Sequence, residues 1–546
     1  DIFEDVLKKD KYQKDFQDYD IKKMQKAHPK REYCLQYRET DFDFLSRLLE
    51  EEGIYYFFKH EDGNHTMILS DDPGDNLKCE NQETAKYKVA AGGWLDEDVI
   101  TSLERTKEIR VGKYTLNDYD FRNPPSPLLY DVPTKYELDP KPAKREVYDF
   151  SGRYVGDISD KGMLKRRPEA ERITKIRMEE EETQITKITG ASVCRAFTSG
   201  YRFMLKEFRD DMDNKEYVLT EIVHNAEHVA EYTEKSVPDE KPVFAYTNRF
   251  TCIPHEVPFR PPRVTPKPIV YGSETAIVVG PKSLKSYTDP DETHPEHYGL
   301  VKIQFHWDRD GQKDDKSSCW VRVAYPYAGE KHGAQFTPLI GDEVIVDFLQ
   351  GDPDKPVVTG SLFKGQHQSL IEQKKMIKNE ILTPYGHRLH FDDKGGHITL
   401  NTGGGETINM ADGKKEKTDY GNNIKISTAD GQFIHLYEGL KGRGVKISTL
   451  MQHKFVMDDG VDGISIKIED QSKKMSITLD STAQEMTVEN KGTGKLVLKA
   501  QGEIWIQSNT KILMEAPDIQ IIGKGYVKVE STGANDVKGN PVKLNC

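Results

Sequence analysis

Three histidine clusters are the residues of this chain whose spacing invites a chemical reading. His224-Asn225-Ala226-Glu227-His228 sets two imidazoles at i and i+4, the separation by which a helical zinc hydrolase presents two ligands on one face. The segment lacks the Glu of H-E-x-x-H and falls at the end of a strand-like run, so a zinc site is not expected there. His294-Pro295-Glu296-His297 and His387-Arg388-Leu389-His390 lie in loop or strand-start sequence without a Cys or carboxylate pattern beside them, and solvated imidazoles are the expectation. The acidic run Glu179–Glu182 reads as a solvated helix face or end, and Lys165-Arg166-Arg167 as a solvated turn. No G-x-S-x-G, phosphate loop or dinucleotide fingerprint occurs. Cys34, Cys79, Cys194, Cys252, Cys319 and Cys546 are scattered with no C-x-x-C pair, which signals neither a disulfide framework nor a zinc site and suits folding in a reducing compartment. The expected site inventory is therefore no catalytic, no cofactor-binding and no metal-ligating residue, and not an enzyme.

The elements that would have to position any chemistry are more informative than the chemistry. From His397 to Val529 short segments alternate apolar and polar residues, as in HITLN, ISIKIED, MSITLD, EIWIQS and YVKVE, each closed by Gly, Asp, Asn or Ser. Period-two alternation marks strands with one buried face, so Ile464, Ile466 and Ile468 share a side opposite Ser465, Lys467 and Glu469. With two or three apolar residues per strand, one chain looks under-filled and its edges unpaired. A coil of strands, a β-helix, completed by two further copies that pair with it around one axis, resolves both problems. Stacking at about 4.8 Å per strand, a dozen layers would give a stiff rod on the order of 60 Å long.

A chain of 546 residues suggests about three or four domains. Residues 1–260 read as an α+β domain. Thr40-Asp41-Phe42-Asp43 resembles a capping box before a helix that Gly53 stops, and a hairpin joins Ile54–Phe58 to Thr66–Leu69. A helix over Pro168–Thr186 and strands near Val193–Phe197, Tyr201–Leu205 and Tyr217–Val223 follow. Eight prolines between Pro238 and Pro268 break regular structure and make a linker or strap. Residues 261–370 carry five strands, the count of an OB barrel, at Thr275–Val279, Leu300–Phe305, Trp320–Ala324, Glu343–Leu349 and Val357–Gly360. Residues 371–546 hold the coil of strands and a Gly- and Asn-rich end. A net charge of −13 and the barrel acids Asp342, Glu343, Asp347, Asp352 and Asp354 disfavour nucleic acid. No run approaches a membrane span, and Asp1-Ile2-Phe3-Glu4 begins neither with Met nor with a signal sequence, as expected of a trimmed chain or part of a longer one.

The string Pro338-Leu339-Ile340-Gly341-Asp342-Glu343-Val344-Ile345-Val346-Asp347-Phe348-Leu349-Gln350-Gly351-Asp352-Pro353-Asp354-Lys355-Pro356 closely resembles the OB-domain signature of the VgrG family, the spike proteins of type VI secretion systems. Segments 31–58, 114–124, 258–268 and 319–329 agree with it in the same order. The resemblance implies a mainly β fold with an α+β hub, similar to the hub and cell-puncturing proteins of contractile phage tails: a phage-hub-like β-barrel domain, an OB-fold barrel and a C-terminal trimeric β-helix needle. It implies a homotrimer seated on the Hcp tube protein amid baseplate components, with a PAAR-repeat cap near Ser531–Cys546, effectors as cargo and a target membrane crossed by mechanical puncture. It also implies assembly in the bacterial cytoplasm followed by secretion or injection into the target cell. The chain departs from the family in starting inside the first hub barrel, in having Pro338-Leu339 where Pro-Arg is usual, and in leaving only about twenty residues between Lys364 and Pro384, too few for a lysozyme-like domain. The H-x-H pair by which some phage tips chelate iron is missing from the C-terminal segment. Two alternatives stay open: the hub-spike of a phage tail or extracellular injection particle, and a polysaccharide-acting β-helix enzyme. The latter would need convergent carboxylates on a groove, whereas those of 397–529 are dispersed at turns.

Overall fold

The computed structural model describes residues 1–8, 19–21, 24, 28–89, 97–122, 124–125, 127–136, 145–155, 163–228, 244–281, 299–365, 369–371, 377–412, 421–439, 442–460, 463–534 and 536–539. They fall into two compact units, Asp1–Gln368 and Ser369–Cys546.

In the first unit the helix Asp41–Glu52 starts where Thr40 accepts a hydrogen bond from the Asp43 N–H, and it ends at Gly53, whose φ of 68° is left-handed. A Cβ at Gly53 would come within 2.6 Å of Ile176, so position 53 has to be glycine for space as well as for φ. The hairpin Tyr55–Glu61 with Asn64–Ser70 follows. Six strands close into a barrel in the order Arg202–Lys206, Glu216–His228, Phe244–Pro254, Thr186–Ser192, Val99–Lys107 and Thr84–Tyr87. Its core gathers Phe197, Phe203, Tyr217, Leu219, Phe250 and the cysteines Cys79, Cys194 and Cys252, all almost fully buried. Cys34, Cys79, Cys194, Cys252 and Cys319 are free thiols, in keeping with their scattered spacing.

Several sequence expectations for this unit shift. The strand expected at Val193–Phe197 lies earlier, at Thr186–Ser192, because the helix Met163–Thr183 ends sooner and begins earlier than the apolar spacing indicated. Lys165-Arg166-Arg167 consequently lies within that helix rather than in a turn. Residues 244–254, counted with the Pro-rich strap, form a long barrel strand, because no proline interrupts Phe244–Ile253 and the strap starts only after Pro254.

Within residues 274–362 five strands form one sheet in the order Lys302–Phe305, Glu274–Val279, Glu343–Phe348, Pro356–Leu362 and Arg322–Val323, and Tyr327–Gly329 pairs with His332–Ala334 in a separate hairpin. A bridge between Val301 and Val321 joins the first strand of that order to the last. Val344 and Val346 are fully buried together with Ala276, Ile303 and Val358, as their alternation requires.

In the second unit eleven strands from Lys378–Leu382 to Glu485–Asn490 form one antiparallel sheet in sequence order, each paired with the strand before and after it. The expected coil paired between chains does not describe these residues. Their turns hold left-handed residues, Gly386, Gly396, Gly405, Gly431, Gln452, Lys473 and Gln484, which reverse the chain and return each strand onto its predecessor. Residues 495–530 differ: the segments KLVLKA, EIWIQS, KILME and YVKVE form no strand pairs, although they carry the same alternation.

Candidate functional site

Antiparallel register stacks the alternating residues into columns. One column runs Ile408, Ile426, Ile434, Ile447, Phe455, Ile468, Ile477, Val488, each directly opposite the next on the neighbouring strand. A second runs Met410, Ile424, Leu436, Val445, Met457, Ile466, Leu479, Met486. These are the residues the alternation assigned to a core, yet in the single chain Ile426 keeps 44% of its surface exposed, Ile477 38% and Met486 65%. A monomer rarely shows so long an apolar strip. Covering it is worth roughly 1 kcal/mol per half-exposed side chain, repeated along both columns.

The opposite face is polar. Lys425, His435 and Lys446 stand in register across three strands, with both ammonium groups over the Phe433 ring. Burial, with the two lysines adding to it, pushes the His435 imidazole below its ordinary pKa. The sheet therefore has one face suited to water and one suited to a partner.

From 495 to 530 the chain runs as legs that belong to no strand, separated by bends at 501–502, 509–510, 517 and 524–525. The large apolar side chains are open to solvent, with Trp505 at 82% and Ile522 at 85%. No left-handed residue occurs after Gln484 among the described residues, in contrast to the turns of the sheet.

The first unit holds its charges inside. Arg260, 2% exposed, donates to Glu179 and to the Gly53 and Asp71 carbonyls. Glu182, also 2% exposed, accepts from the Thr134 hydroxyl and the Lys135 N–H. The expectation of a solvated Glu179–Glu182 face is corrected: the run is a plate onto which the Pro-rich strap is fastened, because the partner guanidinium arrives from some eighty residues downstream. Asp352 pairs with Lys267 at 2.6 Å and Arg153 at 3.0 Å, and Asp354 pairs with Lys267 at 2.9 Å and accepts from the Leu35 N–H. Burial opposes ionisation of Asp352, but the Lys267 and Arg153 charges outweigh it and hold the carboxyl below the usual range. The acids of the barrel signature thus clamp parts of one unit together.

Of the histidine clusters, His224 lies on the strand Glu216–His228 with its ring bonded to the Tyr246 hydroxyl at 2.7 Å. Four residues along a strand span about 13 Å, which excludes a shared ion with His228. His294-Pro295-Glu296-His297 lies outside the described residues. His390 is half-buried rather than solvated and bonded to Glu380 at 3.0 Å. The hairpin sets it beside Asp392 and His397, the group among the described residues whose ligand atoms could share a metal ion. Spacing along the chain could not reveal that trio, because His397 joins it from the neighbouring strand.

Residues 1–230 match the family described as phage tail baseplate hub (GPD), and residues 290–363 the type VI secretion system/phage-baseplate injector OB domain. The chain is 36% identical over 335 residues to the type VI secretion system spike protein VgrG1a of Pseudomonas aeruginosa, a match covering 61% of this chain and 48% of that protein. It is 36% identical over 384 residues to VgrG4b of the same organism, covering 68% and 45%. It is 35% identical over 372 residues to the actin cross-linking toxin VgrG1 of Vibrio cholerae, covering 67% and 32%. The chain thus spans at most about half the length of these relatives. Among solved structures it is similar to the E. coli c3393 protein, a type VI secretion component, at 18% identity and a TM-score of 0.40, covering 66% of this chain and 70% of that one.

Proposed function

Because the chain belongs to the VgrG family of spike proteins, related to phage tail baseplate hubs, we propose that three copies form the hub and puncturing needle of a type VI secretion apparatus. The single observation that carries this reading is the double apolar column on a sheet whose backbone is already paired within the chain. Such a sheet lacks a cover for one face, and two more copies of the same face supply it with the same two-column spacing. Apolar columns meet at the axis, and the lysines and His435 stay in water. The legs at 495–530 have the complementary need, since their N–H and C=O groups have no strand partners in their own chain, and legs of neighbouring copies provide them.

The protein acts by assembly and force rather than by catalysis. The family relationship supports an Hcp tube below the hub, baseplate components around it, a PAAR-repeat cap at the end of the legs and effectors as cargo. It also supports assembly in the bacterial cytoplasm before ejection into a target cell. The dispersed carboxylates of the sheet support the non-enzymatic reading, with no catalytic or cofactor-binding residue. The division at 1–260, 261–370 and 371–546 into hub, OB barrel and needle belongs to the same reading.

Light scattering on the full chain tests it. The expected mass is three times 62.4 kDa, falling to that of one chain when residues 369–546 are removed. A full-length monomer at micromolar concentration contradicts the reading. The match to the phage hub family favours one second reading, the hub-spike of a phage tail or extracellular injection particle. Co-purification with Hcp, or instead with a phage-type tube protein, separates the two.

A further inference from the structure

The hairpin that opens the second unit carries a cluster that neither the spike reading nor the family relationship uses. His390 and Asp392 alternate along the strand Arg388–Asp392, and Asp392 stands directly across from His397 on the strand His397–Asn401. All three side chains therefore leave the same face of the sheet. One ligand atom from each lies within 4.8 Å of the others, with Asp392 buried and both histidines half-buried.

We propose that His390, Asp392 and His397 form a binding site for a divalent transition metal ion of the zinc type. Two imidazoles and one carboxylate are the donor set that such ions take from proteins, leaving further positions for water or a fourth ligand.

Three surrounding features act as its supports. Glu380, directly across from His390 on the preceding strand, accepts from the ring at Nδ1, which leaves Nε2 as the atom bearing the lone pair. A carboxylate behind a ligating histidine is the usual outer partner of a zinc site. Asp392 accepts from the Gly395 N–H at 2.6 Å, so its carboxylate is held by the turn itself. A Cβ at Gly395 would come within 2.8 Å of His397 Nδ1 and 3.1 Å of the Asp392 carboxyl carbon, so glycine keeps the space beside both ligands open. The Lys378 ammonium, bonded to Asp392, is the competitor that the ion displaces. The ion would cross-link two adjacent strands at the start of the sheet, independently of how many copies assemble.

The test is metal binding by the full chain, stripped with a chelator and titrated with Zn²⁺, with Co²⁺ as the spectroscopic probe. About one Zn²⁺ per chain and a visible Co²⁺ band of low-coordinate type are expected. His390→Gln and His397→Gln should each weaken binding by about 100-fold or more, and Glu380→Ala, which removes only the outer partner, by about 10- to 100-fold. Lys378→Met should tighten it. His332→Gln and His453→Gln, both exposed, should leave it unchanged. Melting of each variant without metal checks the fold, and Asp392→Asn, which retains the turn-capping oxygen, stands in if a histidine variant fails to fold. The absence of a Co²⁺ band, or Zn²⁺ held equally well by the ligand variants, overturns the proposal.

Discussion

The sheet at 378–490 and the legs at 495–530 carry the same alternation but solve the backbone problem differently. In the sheet, left-handed turn residues reverse the chain, and every strand finds its partner within the molecule. In the legs, the bends at Gln501-Gly502, Asn509-Thr510, Pro517 and Lys524-Gly525 hold no left-handed residue, and no strand pairing within the chain is formed. The contrast teaches that alternation tells which face is apolar but not whether a strand is paired within its own chain. Three sheets would join through side chains alone, and three sets of legs through backbone bonds. Pulling one chain out of such an assembly would break backbone pairing in the legs but only side-chain contacts in the sheet.

The largest effect that would break this comparison comes from charge on the columns. Ile466→Asp or Ile477→Asp sets three carboxylates at the proposed axis, at several kcal/mol for each poorly paired charge. Trimer mass should be lost while the circular dichroism of the single chain changes little, because both positions are part-exposed there. Intact trimers from both variants would show that the columns face outward.

Arg260→Ala examines the contrasting region, the self-contained hub. It leaves the buried Glu179 carboxylate with only the Lys175 ammonium at 3.9 Å and takes the donor from two carbonyls, and should cost about 3 kcal/mol in the stability of the first unit. A thermal melt should show that loss whether or not the chain is assembled.

Acid provides a subtler separation. Burial works against ionisation of Glu52, but the His28 hydrogen bond and the Arg172 charge prevail and hold its carboxyl down to about 2. Glu51 and Asp352 are lowered as well, by Arg31 and by Lys267. A carboxylate whose pKa is lower folded than unfolded stabilises fully above the unfolded value of about 4.3, and its contribution is lost as pH falls towards the folded value. Melting followed from pH 6 to pH 2 should therefore destabilise the hub, while the uncharged columns lose nothing directly.

The smallest effect is Thr40→Ala, about 1 kcal/mol from loss of the cap, confined to the hub melt.

What the sequence made legible follows from which interactions are local. The Thr40 cap, the Gly53 stop, the hairpin after it and the Val344/Val346 face depend on neighbours a few residues away, and each was readable. The pairing of 378–490 was not, because period two is identical for a strand paired at home or abroad. The strand Thr84–Tyr87 was missed because it is only four residues long, and Val99–Lys107 because Thr101-Ser102, where the register shifts, breaks its alternation. Glu179 and Glu182 looked solvated because Arg260 and Thr134 reach them only in the fold. The trio of His390, Asp392 and His397 stayed hidden for a related reason, since register across a hairpin and not spacing along the chain brings it together.

Hydrogen exchange of the backbone amides tests the central claim most directly, comparing the assembled protein with the same chain dissociated by dilution. Amides of 454–490 should be protected in both states, and those of 495–530 only in the assembly. Protection of 495–530 in the dissociated chain, or its absence in the assembly, would contradict the account.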